Sequence, residues 1–297
     1  MADITILGYS IWSYIGMLAF LVLGPVLGCL LAGLDRKLSA RMQGRVGPPI
    51  LQPLYDVRKL TDKESATVNG AQDLYIGVYL AAVILAGMAF FAGANFLLCV
   101  FLLTLGSLFL ILAAYASRSP YAELGAQREI IQVMSYEPMV LLVAIGMYMA
   151  TGSFTVKNVV FAEQPLVCAI PLLFIGFLYV LTIKLRKSPF DISASEHAHQ
   201  ELVRGLTTEL SGTTLALYEI SHWYETVLFL GWTAMFVMWG GGAVAVVVAV
   251  VVALVVWLAE VVVDNNFARV RWQTMLASAW AVALACGAVN VVYLLFV

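Results

Sequence analysis

Charge is scarce in this sequence: of its 297 residues only 11% are Asp, Glu, Lys or Arg, while 62% are hydrophobic and mean hydropathy is +0.94. That balance excludes an ordinary soluble domain and describes a polytopic membrane protein. A formal net charge of -2 leaves no basic excess to attract nucleic acid. Cysteine is sparse and never paired: Cys29, Cys99, Cys168 and Cys286 each stand alone in an apolar run. Metal centres built on clustered thiolates therefore have no ligand set in this chain, and these residues read as small buried hydrophobes. A P-loop, a dinucleotide-binding glycine motif, a nucleophile arrangement and an evident internal repeat are also missing, which argues against covalent chemistry by this chain alone. The start, MADITILGYSIW, lacks the positive n-region of a cleaved signal peptide, so the first apolar run is expected to stay in the mature protein.

What is present is apolar length. With about 20 residues needed per spanning helix, eight spans are read at residues 12–34, 73–93, 97–116, 129–150, 167–186, 217–239, 242–263 and 275–297. The expected fold is all-α: a polytopic membrane protein of eight helices in one integral domain over residues 1–297. Lys and Arg number seven in 35–72, two in 117–128, four in 184–216 and two in 264–274, against Lys157 alone on the other side. By the positive-inside rule the chain lies in the cell membrane with the charged loops cytoplasmic and both termini outside. Within the cytoplasmic loop 35–72, Leu51, Leu54, Val57 and Leu60 recur at helical spacing after Gly47-Pro48-Pro49. That pattern fits an amphipathic helix in the interface, or else a basic loop on anionic headgroups.

The remaining polar residues concentrate from Ser188 to Glu225, across the cytoplasmic loop 187–216 and into the sixth span. This stretch holds Asp191, Glu196, Glu201, Arg204, Glu209, Glu219, Glu225 and all three histidines, His197, His199 and His222. Carboxylates beside hydrocarbon need a partner or a wet cavity, which makes the stretch the candidate site. Glu219, His222 and Glu225 recur every three residues and trace one drifting helix face. Such a series suits passing protons, and equally suits a solvated helix end with Trp223 and Tyr224 as interfacial aromatics. Glu137 lies about 12 Å past Glu129 on the fourth span, beside Pro138, where a kink would free a backbone acceptor; pairing with an Arg is the other reading. His197 and His199 form an H-x-H pair without a third ligand at defined spacing, so no metal site is assigned. Glu260 and Asp264 are four apart on the seventh span, with Arg269 and Arg271 following as candidate partners.

Three ordered blocks carry a family resemblance. They are Arg45-Val46-Gly47-Pro48 with Leu51-Gln52-Pro53-Leu54, Asp56 and Lys59-Leu60; Gly125-Ala126, Arg128, Gln132 and Ser135-Tyr136-Glu137; and Pro189-Phe190-Asp191, Gln200-Glu201-Leu202, Glu209 and Ser211-Gly212. Over residues 36 to 225 the chain resembles the complex I membrane subunit that contacts the peripheral arm, and its hydrogenase relatives. In detail, Gly47-Pro48-Pro49, Tyr55-Asp56 and the stretch AHQELVRGLTTELSGTTLALYEISHWYE at residues 198–225 are most similar to the membrane subunit of energy-converting, Ech-type [NiFe] hydrogenases. The chain departs from the complex I pattern at His197 and His199, within a less acidic interval, and at His222, where a carboxylate is common.

The resemblance implies no cofactor in this chain, with a [NiFe] centre and iron–sulfur clusters in its partners. Those partners would be the hydrogenase large and small subunits, a ferredoxin-like iron–sulfur subunit and an antiporter-like membrane subunit, in contact with the lipid bilayer. It implies a non-catalytic role and carries over Asp191, Glu201, Glu209 and Glu137 with Arg128; joined to the Glu219, His222 and Glu225 face read from its spacing, these groups make the expected path for protons or coupling. Arg45, Asp56, Arg128, Glu196 and Arg204 would face the peripheral arm. A quinone chamber of the complex I kind is the alternative.

Overall fold

The computed structural model describes residues 5–6, 9–64, 69–187, 189–195 and 200–296. A two-residue hairpin, β1 (Thr5–Ile6) with β2 (Tyr9–Ser10), leads into α1 (Ile11–Met42). The long apolar helices follow as α3 (Gly70–Phe91), α4 (Phe96–Ala116), α5 (Pro120–Thr151), α9 (Gly212–Val237) and α10 (Ala243–Asn266). Shorter pieces are α2 (Gln52–Thr61), α6 (Val156–Val160), α7 (Leu166–Ala169) and α8 (Pro171–Lys184). The chain closes with α11 (Trp272–Val282), a π-helical turn over Ala283–Ala288 and α12 (Val289–Phe296), continuous as Trp272–Phe296.

Local chemistry sets these ends. Asn69 and Asn95 cap α3 and α4, each accepting a hydrogen bond from the backbone two residues on, which satisfies N–H groups a helix leaves open. Gly152, in the left-handed region at φ 71°, ends α5. Among the described residues, the expected eight crossings correspond to six helices long and apolar enough to span, plus α8 and α9. α8 is shorter than the expected 167–186 because the chain breaks at Ile170 and restarts with Pro171 at its first turn. α9 has the length to cross but carries Glu219, His222 and Glu225.

α3 packs on α4 and α9, α4 on α5, α5 on α8 and α11, and α9 on α1 and α10. The core is aromatic around Trp232, whose ring lies 4.8 Å from Phe96 and 5.6 Å from Phe229. Large apolar side chains also cover the exterior, including Val22 and Val26 on α1 and Val247, Val251 and Leu258 on α10. Such an outside suits hydrocarbon rather than water. α2 forms where the sequence placed an amphipathic helix; Val57 and Leu60 pack with Cys29, Ala216 and Trp223, while Leu51 and Leu54 stay exposed. The helix directions bring the C-terminal ends of α1, α8 and α10 together with the N-terminal ends of α5, α9 and α11, and the polar sequence collects there.

Candidate functional site

After α8 the chain folds back over the bundle end, held by side chains from α5 and from the loop before α11. Phe190 pairs in parallel with Val270, and Asp191 N–H donates to Val270 O at 3.1 Å. The Asp191 carboxylate, 3% exposed, takes both arms of Arg269 at 3.1 and 2.7 Å and the Glu201 N–H at 3.1 Å. Burial alone would raise this carboxyl; the Arg269 hydrogen bonds and the Glu201 N–H outweigh it and hold Asp191 below the ordinary carboxylate range. Glu201 in turn accepts from Arg128 at 2.7 Å, and that guanidinium lies over the Trp272 ring at 4.7 Å. Deeper in, Gln132 accepts from Ser193 N–H at 3.0 Å, Glu129 accepts from the Ser193 hydroxyl, and Gln200 bridges Ile192 N–H and Phe190 O. The loop can lie this close because residue 125 has no side chain: a Cβ on Gly125 would stand 2.4 Å from Leu206 N.

Beneath the loop, ionisable groups continue into the bundle. Arg186, itself in the left-handed region at φ 56°, reaches Glu129 at 3.6 Å and hydrogen-bonds the Tyr218 hydroxyl. The Lys184 ammonium sits 3.5 Å from the Tyr136 ring centroid and 5.4 Å from that of Phe229, a cation–π seat inside the protein. A void of about 20 Å³ is lined by Glu129, Gln132, Tyr136, Lys184, Arg186 and Glu225, room for one water with polar partners. Glu225, thirteen residues into α9 and so about 20 Å from its start, has His222 Nδ1 at 3.9 Å. His222 and Glu219 line a larger cavity of about 340 Å³ together with Asp35, Arg36, Arg204 and Asp264. A neighbouring cavity of about 220 Å³ shares Arg36, Arg204, Glu219 and Trp223 and runs under α2 to Lys59 and Lys63.

A second branch leaves the same cavity toward α10. Lys187 Nζ pairs with Asp35 at 2.5 Å and with Asp264 at 3.6 Å. One turn along α10, Glu260 accepts from the Thr182 hydroxyl at 3.3 Å, and its other oxygen is buried without a hydrogen-bond partner among the described residues.

Comparison with known proteins decides the family. Residues 15–295 match the NADH dehydrogenase family. An NADH-quinone oxidoreductase subunit of Geobacillus kaustophilus is 31% identical over 320 residues, covering 95% of this chain and 94% of its own length. The chain belongs to the NADH dehydrogenase family. The corresponding NADH-quinone oxidoreductase subunit of Bacillus mycoides is 30% identical over 313 residues, covering 92% of this chain and 91% of its own. Among solved structures, a chain of the membrane-bound sulfane sulfur reductase, an archaeal respiratory membrane complex, superposes with a TM-score of 0.83 at 23% identity. The superposition covers 95% of this chain and 99% of that one, and the fold of this NADH dehydrogenase family member is therefore shared with it.

Within this family member, Asp191, Glu201 and Arg128 lie in one ion-pair network with Arg269, while Glu219 and His222 line the cavity of about 340 Å³ and Glu225 the small void, the two sharing Arg186 in their walls. Arg204, at φ 52°, lines both larger cavities. Glu137 lies apart from this cluster, accepting from the Thr104 hydroxyl of α4 at 2.7 Å. Arg128 is no partner for Glu137: nine residues is two and a half turns, which puts the two on opposite faces of α5. Helix α5 runs on through Pro138. Glu209 is partly exposed and joins neither void. Asp56 is taken by Arg36 at 2.8 Å and Gln52 at 2.8 Å, and Arg45 is exposed beside Gln43. Arg269 goes to Asp191 rather than to Glu260 or Asp264, whose partners come from α8 and the loop after it. Glu196, His197 and His199 lie outside the described residues.

Sequence reasoning did not single out Lys184, Arg186, Lys187 or Tyr218 as site residues. The available signal was three basic residues within four positions at the end of an apolar run, immediately before the acidic loop.

Proposed function

We propose that this chain is the membrane coupling subunit of a multi-subunit respiratory complex, linking a redox reaction in a docked soluble arm to ion movement in the membrane. The observation that carries the reading is a series of ionisable groups that starts at the Arg128–Glu201–Asp191 network, passes by way of Ser193 to the Glu129–Arg186 pair, and ends with Lys184 and Glu225 around one small void inside the bundle. A charge change at the arm alters the pairing of the loop, and the loop holds the carboxylate that Arg186 also touches. Coupling then needs two arrangements of this network with different protonation or hydration. By the positive-inside rule the polar end is cytoplasmic and both termini face outward.

The finer reading is the membrane subunit of an energy-converting [NiFe] hydrogenase. It would bear the large and small hydrogenase subunits, which receive electrons from a ferredoxin-like iron–sulfur protein, and would adjoin an antiporter-like subunit that moves H+ or Na+. Its support is the similarity of residues 198–225 to the Ech-type subunit and the presence of His222 where complex I carries a carboxylate. The second reading, a quinone chamber, is favoured by the adjoining cavities of about 340 and 220 Å³ under α2 and by the relatives named as NADH-quinone oxidoreductase subunits. Hydrogen evolution from reduced ferredoxin by the purified complex supports the first; quinone reduction supports the second.

The coupling role is tested with Glu201→Gln and Glu225→Gln in the assembled complex. Turnover in detergent is expected to stay near wild type while ion uptake into vesicles falls to the level of an uncoupled membrane. Unchanged uptake removes those carboxylates from the path.

A further inference from the structure

The opposite end of the bundle holds a cavity of a different kind. It encloses about 450 Å³ among α3, α6, α9 and α10, with walls of Phe90, Phe91, Met235, Met238 and Ala249. That volume is in the range that accommodates a small ligand, and so apolar a lining gives water few partners. At its rim, Phe161 and Val250 are 59% and 50% exposed. Among the described residues, the one charged side chain lining it is Lys157, the single Lys or Arg of the sequence outside the polar loops, and it makes no ion pair or side-chain hydrogen bond with any of them. Glu163, the other charged side chain described at this end, does not line the cavity.

Lys157 is held in place by the backbone. Its N–H donates to Gly93 O at 3.3 Å, Val156 N–H donates to Ala94 O at 3.0 Å, and Phe96 N–H donates to Phe154 O at 2.8 Å. Gly93 turns at φ 79°, and a Cβ there would press on Lys157 Cβ at 3.0 Å. The short α6 is therefore docked on the α3–α4 turn with its cation at the cavity edge. A helix about 10 Å across does not fit a space of this volume, whereas a single hydrocarbon chain does. In a bilayer, apolar burial gives no preference for such a slot over bulk lipid; selectivity must come from the charge at its edge, and an ammonium recognises phosphate as a point charge.

We propose that this cavity is a binding site for one anionic phospholipid, with an acyl chain in the Phe90–Met235–Ala249 slot and the phosphate on the Lys157 ammonium. The complex is exchanged into nanodiscs containing phosphatidylglycerol and phosphatidylcholine of equal chain length, and retained lipid is counted by native mass spectrometry. One phosphatidylglycerol is expected to be kept in preference to phosphatidylcholine by about fivefold, the scale of one basic residue at an anionic lipid surface. Lys157→Gln removes the preference, Lys157→Arg keeps it, and Val250→Trp, which closes the mouth, loses the lipid while leaving the charge. Equal retention of the two lipids by the wild type would overturn the site, as would a preference that survives Lys157→Gln or competition by glycerol phosphate lacking acyl chains. A photo-crosslinker at Phe161 that captures a neighbouring subunit instead of lipid overturns it as well. Redox turnover and ion uptake of the Lys157 variants are expected to match the wild type, so failure here is separable from failure of the coupling role.

Discussion

The two ends of this bundle solve the problem of leaving a membrane in opposite ways. At the far end the chain turns with glycines in the left-handed region, Gly93, Gly152, Gly240 and Gly241, and closes by backbone hydrogen bonds such as Gly240 N–H to Ala162 O. At the polar end Gly44, Gly47 and Gly212 take the same left-handed backbone, but so do three arginines, Arg118, Arg186 and Arg204. A non-glycine residue held at positive φ costs of order 1 kcal/mol or more, a cost accepted at Arg186 and Arg204 where the side chain is used in the buried network or the cavity. Both ends use left-handed glycines; the polar end adds left-handed arginines and side chains whose pairing can change.

This contrast is open to attack where it is sharpest. Arg186→Leu strands the Glu129 carboxylate, 8% exposed, with the Ser193 hydroxyl but no cation. Breaking a buried pair from one side costs about 3–5 kcal/mol, so a marked fall in assembled complex is expected, read as the unfolding midpoint in detergent. An unchanged midpoint would reduce the polar end to ordinary surface.

Asp191→Asn is smaller, since the Arg269 head is 35% exposed and screened. A loss of about 2 kcal/mol in docking of the loop is expected, visible as faster proteolysis within residues 188–211. The same contact gives a pH signature. Because the docked carboxyl sits below its ordinary value, docking is fully favoured above about pH 4 and is lost as pH falls through the depressed folded-state value. Wild-type cleavage should therefore rise only at the acid end, and Asp191→Asn should flatten the profile; a profile unaltered by the substitution would mean that another group holds the loop. At the small end of the scale, Lys157→Gln should leave the midpoint within about 0.5 kcal/mol of wild type, as an exposed side chain away from a network does.

Much of the fold was legible because bilayer thickness acts as a ruler. Runs of apolar residues near twenty marked the crossings, and Leu51 to Leu60 marked α2 by its spacing. α9 was readable although its first half is polar, since Trp223, Tyr224 and the following apolar run have the length of a span. The site was legible as a region, less so as a set of contacts. Lys184, Arg186 and Lys187 read as basic residues at a membrane boundary because their partners, Tyr136 and Phe229, Glu129 and Tyr218, and Asp35 and Asp264, come from helices far away in the sequence. Arg269 is paired with Asp191 across 78 positions, a distance no local periodicity reports. Conversely, the nine-residue interval between Arg128 and Glu137 already placed them on opposite helix faces, a geometric constraint available before any coordinates.

The central claim, that the buried end of the polar run carries ion coupling, is tested most directly at Glu225. In proteoliposomes holding the whole complex, ions moved per electron are measured alongside redox turnover for wild type and Glu225→Gln. The account predicts that turnover with an uncoupler persists while the ion-to-electron ratio falls toward zero. A wild-type ratio in Glu225→Gln would contradict it.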